Sequence, residues 1–356
     1  MILSVIKIFL PTTLAFIVGI LITPKFVYFL HKYKLWKRVA RSNSNTITND
    51  TFKKINNAEE EISTPRVGGI LIWVSVLITI ILIWLISKIF PSELTSKLDF
   101  YSRNQTLIPL ASFILASIFG LFDDLIEIRG RIEDTKFDAE ILFRYIKIGL
   151  IIIMGSLIGF WFYNKLGVDT IDIPFIKEGI YLGLLFIPFF VLVLVTVFSG
   201  GVIDGIDGLA GGVLAIIFSA YSIIAFGQAQ IDIAAFCGVI TGGILAFLWF
   251  NIPPARFYMG ETGMMGLLVV LTVIAFLTDT VFILPIIALP LLVSSLSSLI
   301  QIISYKYFNK RRVFKIAPLH HHFRAIGWSR EKIVMRYWIV SIICAIIGIV
   351  LNFISK

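Results

Sequence analysis

Three short stretches of this 356-residue chain set carboxylates against apolar segments, and a fourth carries most of its imidazole. FGLFDDLIEIRGR (119–131) places Asp123 and Asp124 side by side where an apolar run ends. FSGGVIDGIDGLAGG (198–212) spaces Asp204 and Asp207 three apart among glycines, and NIPPARFYMGETG (251–263) holds Glu261 between Gly260 and Gly263. KIAPLHHHFRAIGWSREK (315–332) contains His320, His321 and His322, three of the four histidines in the chain. Clustered carboxylates repel unless a hard cation sits between them, and Mg²⁺ takes one or two carboxylates and completes its shell with water and substrate phosphates. Glycine lets the backbone come close to a phosphate, and imidazole beside Arg and Lys donates to one. Brought together, these types suit metal-assisted phosphoryl transfer.

Each stretch has a plainer reading when taken alone. An Asp pair at a helix end caps it, DGIDGLAGG is a glycine-rich turn, and three histidines are a basic surface patch. An EF-hand is excluded, because that loop needs ligands at alternate positions and an acid at its twelfth. Zinc fits HHH poorly, since adjacent side chains on a helix or strand point in different directions. Neither HExxH nor CxxC is present, and Cys237 and Cys344 both fall inside apolar runs, with no disulfide framework.

The elements that must position these residues are membrane spans. Hydrophobic residues make up 58% of the chain and charged ones 15%, against about 25% charged in a soluble domain. Ten apolar runs, near 4–30, 68–90, 106–122, 145–163, 180–198, 209–228, 233–249, 264–279, 281–302 and 335–354, each suit a helix crossing the hydrocarbon core. They are continuous rather than alternating, which excludes a transmembrane barrel. The first run lacks the small-residue cleavage site of a signal peptide. The fold class expected is therefore all-α and polytopic, one integral-membrane domain over 1–356.

The net charge of +9 does not signal nucleic acid. Loops 31–66 and 303–334 hold eight Lys and Arg each, whereas 91–105 and 164–179 hold two each. The positive-inside rule then puts the rich loops in the cytoplasm and both termini outside, in the plasma (cell inner) membrane. All three acidic stretches and the histidines fall on the inside face. The polar segment 42–61 reads as a mobile cytoplasmic loop.

These stretches resemble the polyprenyl-phosphate sugar-1-phosphate transferase superfamily, and within it the phospho-N-acetylmuramoyl-pentapeptide transferase branch. The matching pieces are STPRVGG (63–69), GLFDD (120–124), DTK (134–136), DGIDGLA (204–210), FN-PPA-R-YMGETG (250–263) and RRVFKIAPLHHHF…GW (311–328). The resemblance implies a Mg²⁺-dependent enzyme that moves phospho-N-acetylmuramoyl-pentapeptide from UDP to undecaprenyl phosphate, releasing UMP, with a homodimer as a conceivable assembly. It also implies that Asp123 and Asp124 serve the lipid phosphate, with Asp124 and Glu261 on the metal. Asp204 and Asp207 would lie by the nucleotide, Asn251 and Tyr258 at uracil, and Lys136, Arg66 and His320 to His322 at phosphates.

The sequence departs from the family pattern at Phe198 and Gly201, where two asparagines are usual, at Glu261 in place of an aspartate, and at Glu61 in place of a lysine. A UDP-N-acetylglucosamine donor is thus the alternative. A nucleotide-sugar transporter fits less well, because transporters carry ionisable groups near the bilayer midplane. An inactive scaffold would need none of the five acids.

Overall fold

The computed structural model describes residues 2–36, 63–101, 105–129, 137–176 and 178–355, with the side chains of residues 94 and 137–143 outside that description. The polar loop at 42–61, Glu61 and Lys136 lie outside the described residues. In a hydrocarbon layer every backbone N–H and C=O must be satisfied within its own segment, so long apolar runs become helices. The described chain forms α1 (Ile2–Lys32), α2 (Ile70–Ile89), α3 (Glu93–Leu98), α4 (Leu107–Ile128), α5 (Phe137–Trp161), α6 (Phe186–Ser199) and α7 (Leu209–Gly227). It continues with α8 (Ile231–Asn251), α9 (Gly260–Leu277), α10 (Leu284–Ile287), α11 (Leu289–Tyr307), α12 (Leu319–Ala325) and α13 (Arg330–Ser355). A two-residue antiparallel pair, Thr170 opposite Tyr181 and Ile171 opposite Ile180, closes the loop between α5 and α6.

Among the described residues ten segments are long and apolar enough to cross a membrane, and the chain is a polytopic membrane protein. Their borders differ from the sequence expectation in three places that matter. The run expected at 281–302 breaks at Ala288 between Pro285 and Pro290, so the span is α11 at Leu289–Tyr307. Helix α4 continues past residue 122 to Ile128, which puts Asp123 and Asp124 on the helix itself. Helix α9 begins at Gly260, so Glu261 stands in its first turn rather than in a loop.

Helices α7, α8 and α9 are the centre of the bundle, with 78%, 83% and 89% of their most apolar windows buried, against 22–44% for the other spans. Helix α1 packs on α8, α8 on α7, and α4 on α9. Gly120 permits the last of these contacts, since a methyl there would lie 2.2 Å from the Glu261 carbonyl oxygen. At one end of the bundle Lys7 of α1 pairs with Asp232 at the start of α8 at 2.6 Å. At that same end Gln228 Nε2 donates to Thr278 O at 2.9 Å and to Asn352 Oδ1 at 3.3 Å. The start of α1 and the end of α13 therefore share one end, and the acidic stretches and histidines occupy the other.

Candidate active site

At that other end the close crossing of α4 and α9 aims two neighbouring aspartates at different tasks. The Asp124 carboxylate is fully buried. It accepts the Glu261 N–H at 3.1 Å, the Thr262 N–H at 2.9 Å and the Thr262 hydroxyl at 2.7 Å. These are the first donors of α9, which have no partner within their own helix. Asp124 therefore caps α9 from a different helix and sets its negative charge against the positive end of the dipole. Gly260 makes the approach possible, with φ +69° and no Cβ, since a methyl there would lie 2.4 Å from Asp124 Oδ2.

Asp123 and Glu261, left facing each other, are joined by a lysine. Lys147 of α5 places its Nζ 2.7 Å from Asp123 Oδ2 and 2.8 Å from Glu261 Oε1. The carboxylates that converge on one cation are thus Asp123 with Glu261, whereas Asp124 faces amides. Beside them Arg66 pairs with Glu127, one turn along α4, at 2.5 Å. Among the described residues no three of His, Cys, Asp and Glu gather as a metal-holding group. The donor set at Asp123 and Glu261 still suits a hard divalent ion, because two carboxylates meet at a cation-sized position that the ammonium takes here.

The second part of the site joins DGIDG to the PPARFY loop. Asn251, 5% exposed, accepts the Gly208 N–H at 2.9 Å and donates to Phe257 O at 2.9 Å. Asp207 accepts the Ala255 N–H at 3.3 Å. Asn251 is thereby a brace between the two loops, with both ends of its amide engaged inside the protein. Tyr258, half-buried, is fixed by its backbone: its N–H donates to Pro65 O and its carbonyl accepts the Gly68 N–H, both at 2.8 Å. The indole of Trp338 on α13 donates to Gly208 O at 3.2 Å. Asp204, also half-buried, ends the short helical turn Gly200–Ile203.

The histidines enter on α12, tied to α11 by the Leu319 N–H donating to Ser297 Oγ at 2.9 Å. They do not act as three equals. The rings of His320 and His321 lie 4.4 Å apart at 60°, and both face the DGIDG turn. A methyl on Gly205 would meet His320 Nε2 at 2.6 Å and His321 Nε2 at 3.0 Å. His322 turns away, accepting the Lys315 N–H on Nδ1 at 3.1 Å and packing edge-on against Phe314. His320 is completely buried, and neither of its ring nitrogens meets a hydrogen-bond partner. Burial, then the neighbouring His321 and Arg324, hold its pKa well below the usual imidazole value, so the ring is neutral.

Asp123, Glu261 and Arg66 thus gather around α4 and α9, while Asp204, Asp207, Asn251, His320 and His321 gather around DGIDG. Lys136 lies outside the described residues. Lys147, Glu127 and Trp338 were missed by sequence reasoning. Lys147 had a signal, an ammonium inside the apolar run 145–163; the other two had none short of the fold.

The family model described as Glycosyl transferase family 4 matches residues 106–279, which span α4 to α9. Three relatives are each described as a phospho-N-acetylmuramoyl-pentapeptide-transferase. The one from Geobacillus sp. is 32% identical over 96% of this chain and 96% of its own length. The one from Anoxybacillus flavithermus is 31% identical over 94% of this chain and 95% of its own. That from Borrelia turicatae is 31% identical over 95% of this chain and 93% of its own.

Proposed function

The chain belongs to the phospho-N-acetylmuramoyl-pentapeptide-transferase family, and from that premise we propose the reaction it carries out. It transfers phospho-N-acetylmuramoyl-pentapeptide from the UDP-linked donor to undecaprenyl phosphate, releasing UMP and forming lipid I for peptidoglycan synthesis. An oxygen of the lipid phosphate attacks the sugar-bearing phosphorus of the donor. The anhydride bond to UMP breaks, and UMP carries away its electron pair. The whole-length likeness to proteins of that name is the observation that carries this reading.

The site supports a division of labour among its residues. Asp123, on the open side of α4, faces the lipid phosphate, while Asp124 holds the start of α9 in register. His320 and His321, packed over Gly205, take phosphate oxygens of the donor. Asp204, Asp207 and Tyr258 frame the nucleotide, and Asn251 keeps their two loops together. Arg66 and Lys136 add positive charge for phosphate. Mg²⁺, held by Asp123 and Glu261, would supply charge neutralisation for the diphosphate as UMP leaves. The site faces the cytoplasm of the plasma membrane, a reading supported by the Lys and Arg excess in loops 31–66 and 303–334.

The test is purified protein with undecaprenyl phosphate and Mg²⁺, offered each UDP-sugar in turn. UMP release and a lipid-linked product are expected with the muramoyl-pentapeptide donor. Release with UDP-N-acetylglucosamine alone would transfer the assignment to the other branch of the superfamily.

A further inference from the structure

A lysine one turn inside an apolar span is costly unless its charge is matched. Lys147 is matched twice, by Asp123 from α4 at 2.7 Å and by Glu261 from α9 at 2.8 Å. The trio is three-quarters buried at the lysine, whose side chain is 23% exposed, so the pairing is only partly screened by water. Without the ammonium, two carboxylates would face each other with net charge −2 and would separate. The lysine therefore does more than neutralise its own burial: its ammonium occupies the position between two acids, from two helices, that a cation would otherwise take.

We propose that Lys147 is a built-in counter-ion that keeps Asp123 and Glu261 together and that a divalent cation must displace, so that Lys147 sets how tightly the site takes metal. The inference rests on the reading of this site as one of metal-assisted phosphoryl transfer. Mg²⁺ binds oxygen at about 2.0–2.1 Å, closer than the ammonium does, and the same two oxygens have no room for both. Glu261 is a methylene longer than the aspartate of the family pattern, and its carboxylate meets the lysine at 2.8 Å. Lys147 is a positioning residue here, since it acts through the two acids.

Metal binding is measured without substrate, on the full-length protein in detergent, with Mn²⁺ in place of Mg²⁺ and free Mn²⁺ read by electron paramagnetic resonance. Lys147→Met is expected to bind Mn²⁺ about tenfold more tightly than the parent, as removal of one positive charge at contact distance implies. Lys147→Arg should show no such gain, and adding Glu261→Gln to Lys147→Met should abolish it. Lys147→Gln, which keeps a polar head, is the second variant should the methionine protein fail to fold. A lysine whose role is only structural would lower the melting temperature and leave Mn²⁺ affinity where it was. Either variant, folded and binding Mn²⁺ no more tightly than the parent, overturns the proposal. Tighter Mn²⁺ binding by the variants, with no UMP release by the parent protein, would leave this inference standing and remove the transfer reading. Turnover by the parent with unchanged Mn²⁺ affinity in the variants would do the reverse.

Discussion

His320 shows what burial does to a residue the sequence presents as one of three. Its ring is sealed between α12 and the DGIDG turn, with His321 and Arg324 adding positive charge nearby, and the folded protein holds it neutral. The folded pKa lies below the unfolded value of 6.5, so below that value the unfolded chain binds the extra proton. Stability linked to His320 is therefore fully present above 6.5 and is lost as the pH falls through the depressed folded value. Thermal melts between about pH 5 and pH 8 should show a plateau above 6.5 and a decline below it. The decline should shrink in His320→Gln, which has nothing to titrate, and an identical decline in that variant would assign the acid sensitivity to other groups. Of the histidine run, the sequence revealed the residue type and the company it keeps. That two rings face one glycine while the third turns to Lys315 depends on the pitch of α12, which no local pattern encodes.

At the scale of elements, the adjacent aspartates on α4 divide into one that caps α9 and one that we propose meets the substrate. Asp124 satisfies three donors at the start of α9, and leaving them unmet costs on the order of 1–3 kcal/mol. Asp124→Ala should lower the melting temperature well below that of Asp123→Ala, while Asp123→Ala should keep its fold and lose UMP release. Equal melting temperatures would deny Asp124 its capping role. The sequence could not have separated the pair, because the helix that Asp124 caps begins 136 residues further along, at Gly260. For the same reason Glu261 reads as a loop residue in the sequence: the cap that starts its helix comes from another element. Lys147 was legible in principle as an ammonium inside the apolar run 145–163, but charge counting along loops passes over a cation that lies within a span. Asn251 reads as a ligand contact through resemblance, and the structure adds that it braces two loops.

For the whole molecule, the ten spans were legible because apolar length is a property of the chain alone. Their order of burial was not, since α7, α8 and α9 are no more apolar in sequence than the helices that surround them. The arrangement of the bundle puts the site at one end and Lys7, Asp232 and Asn352 at the other. Orientation in the membrane follows from charge and is directly testable. A cysteine at exposed Ser329, beside the histidine helix, should resist an impermeant thiol reagent added to intact cells, and one at exposed Glu178, in the loop between α5 and α6, should react. The reverse pattern would invert the molecule.

The packing of His320 and His321 over Gly205 also has a consequence in time. A membrane protein is delivered from the ribosome in chain order, and the DGIDG turn is made long before the histidines that cover it. Helix α12 docks only after α11 has been inserted to offer Ser297, and Trp338 reaches Gly208 only after that. A chain halted before residue 319 holds every acid of the site and nearly every span, yet lacks the lid of imidazoles above the turn. On the proposed reading, a chain that stops before residue 319 is therefore expected to show no UMP release, because α12 with its histidines and α13 with Trp338 are the last parts of the site to be made.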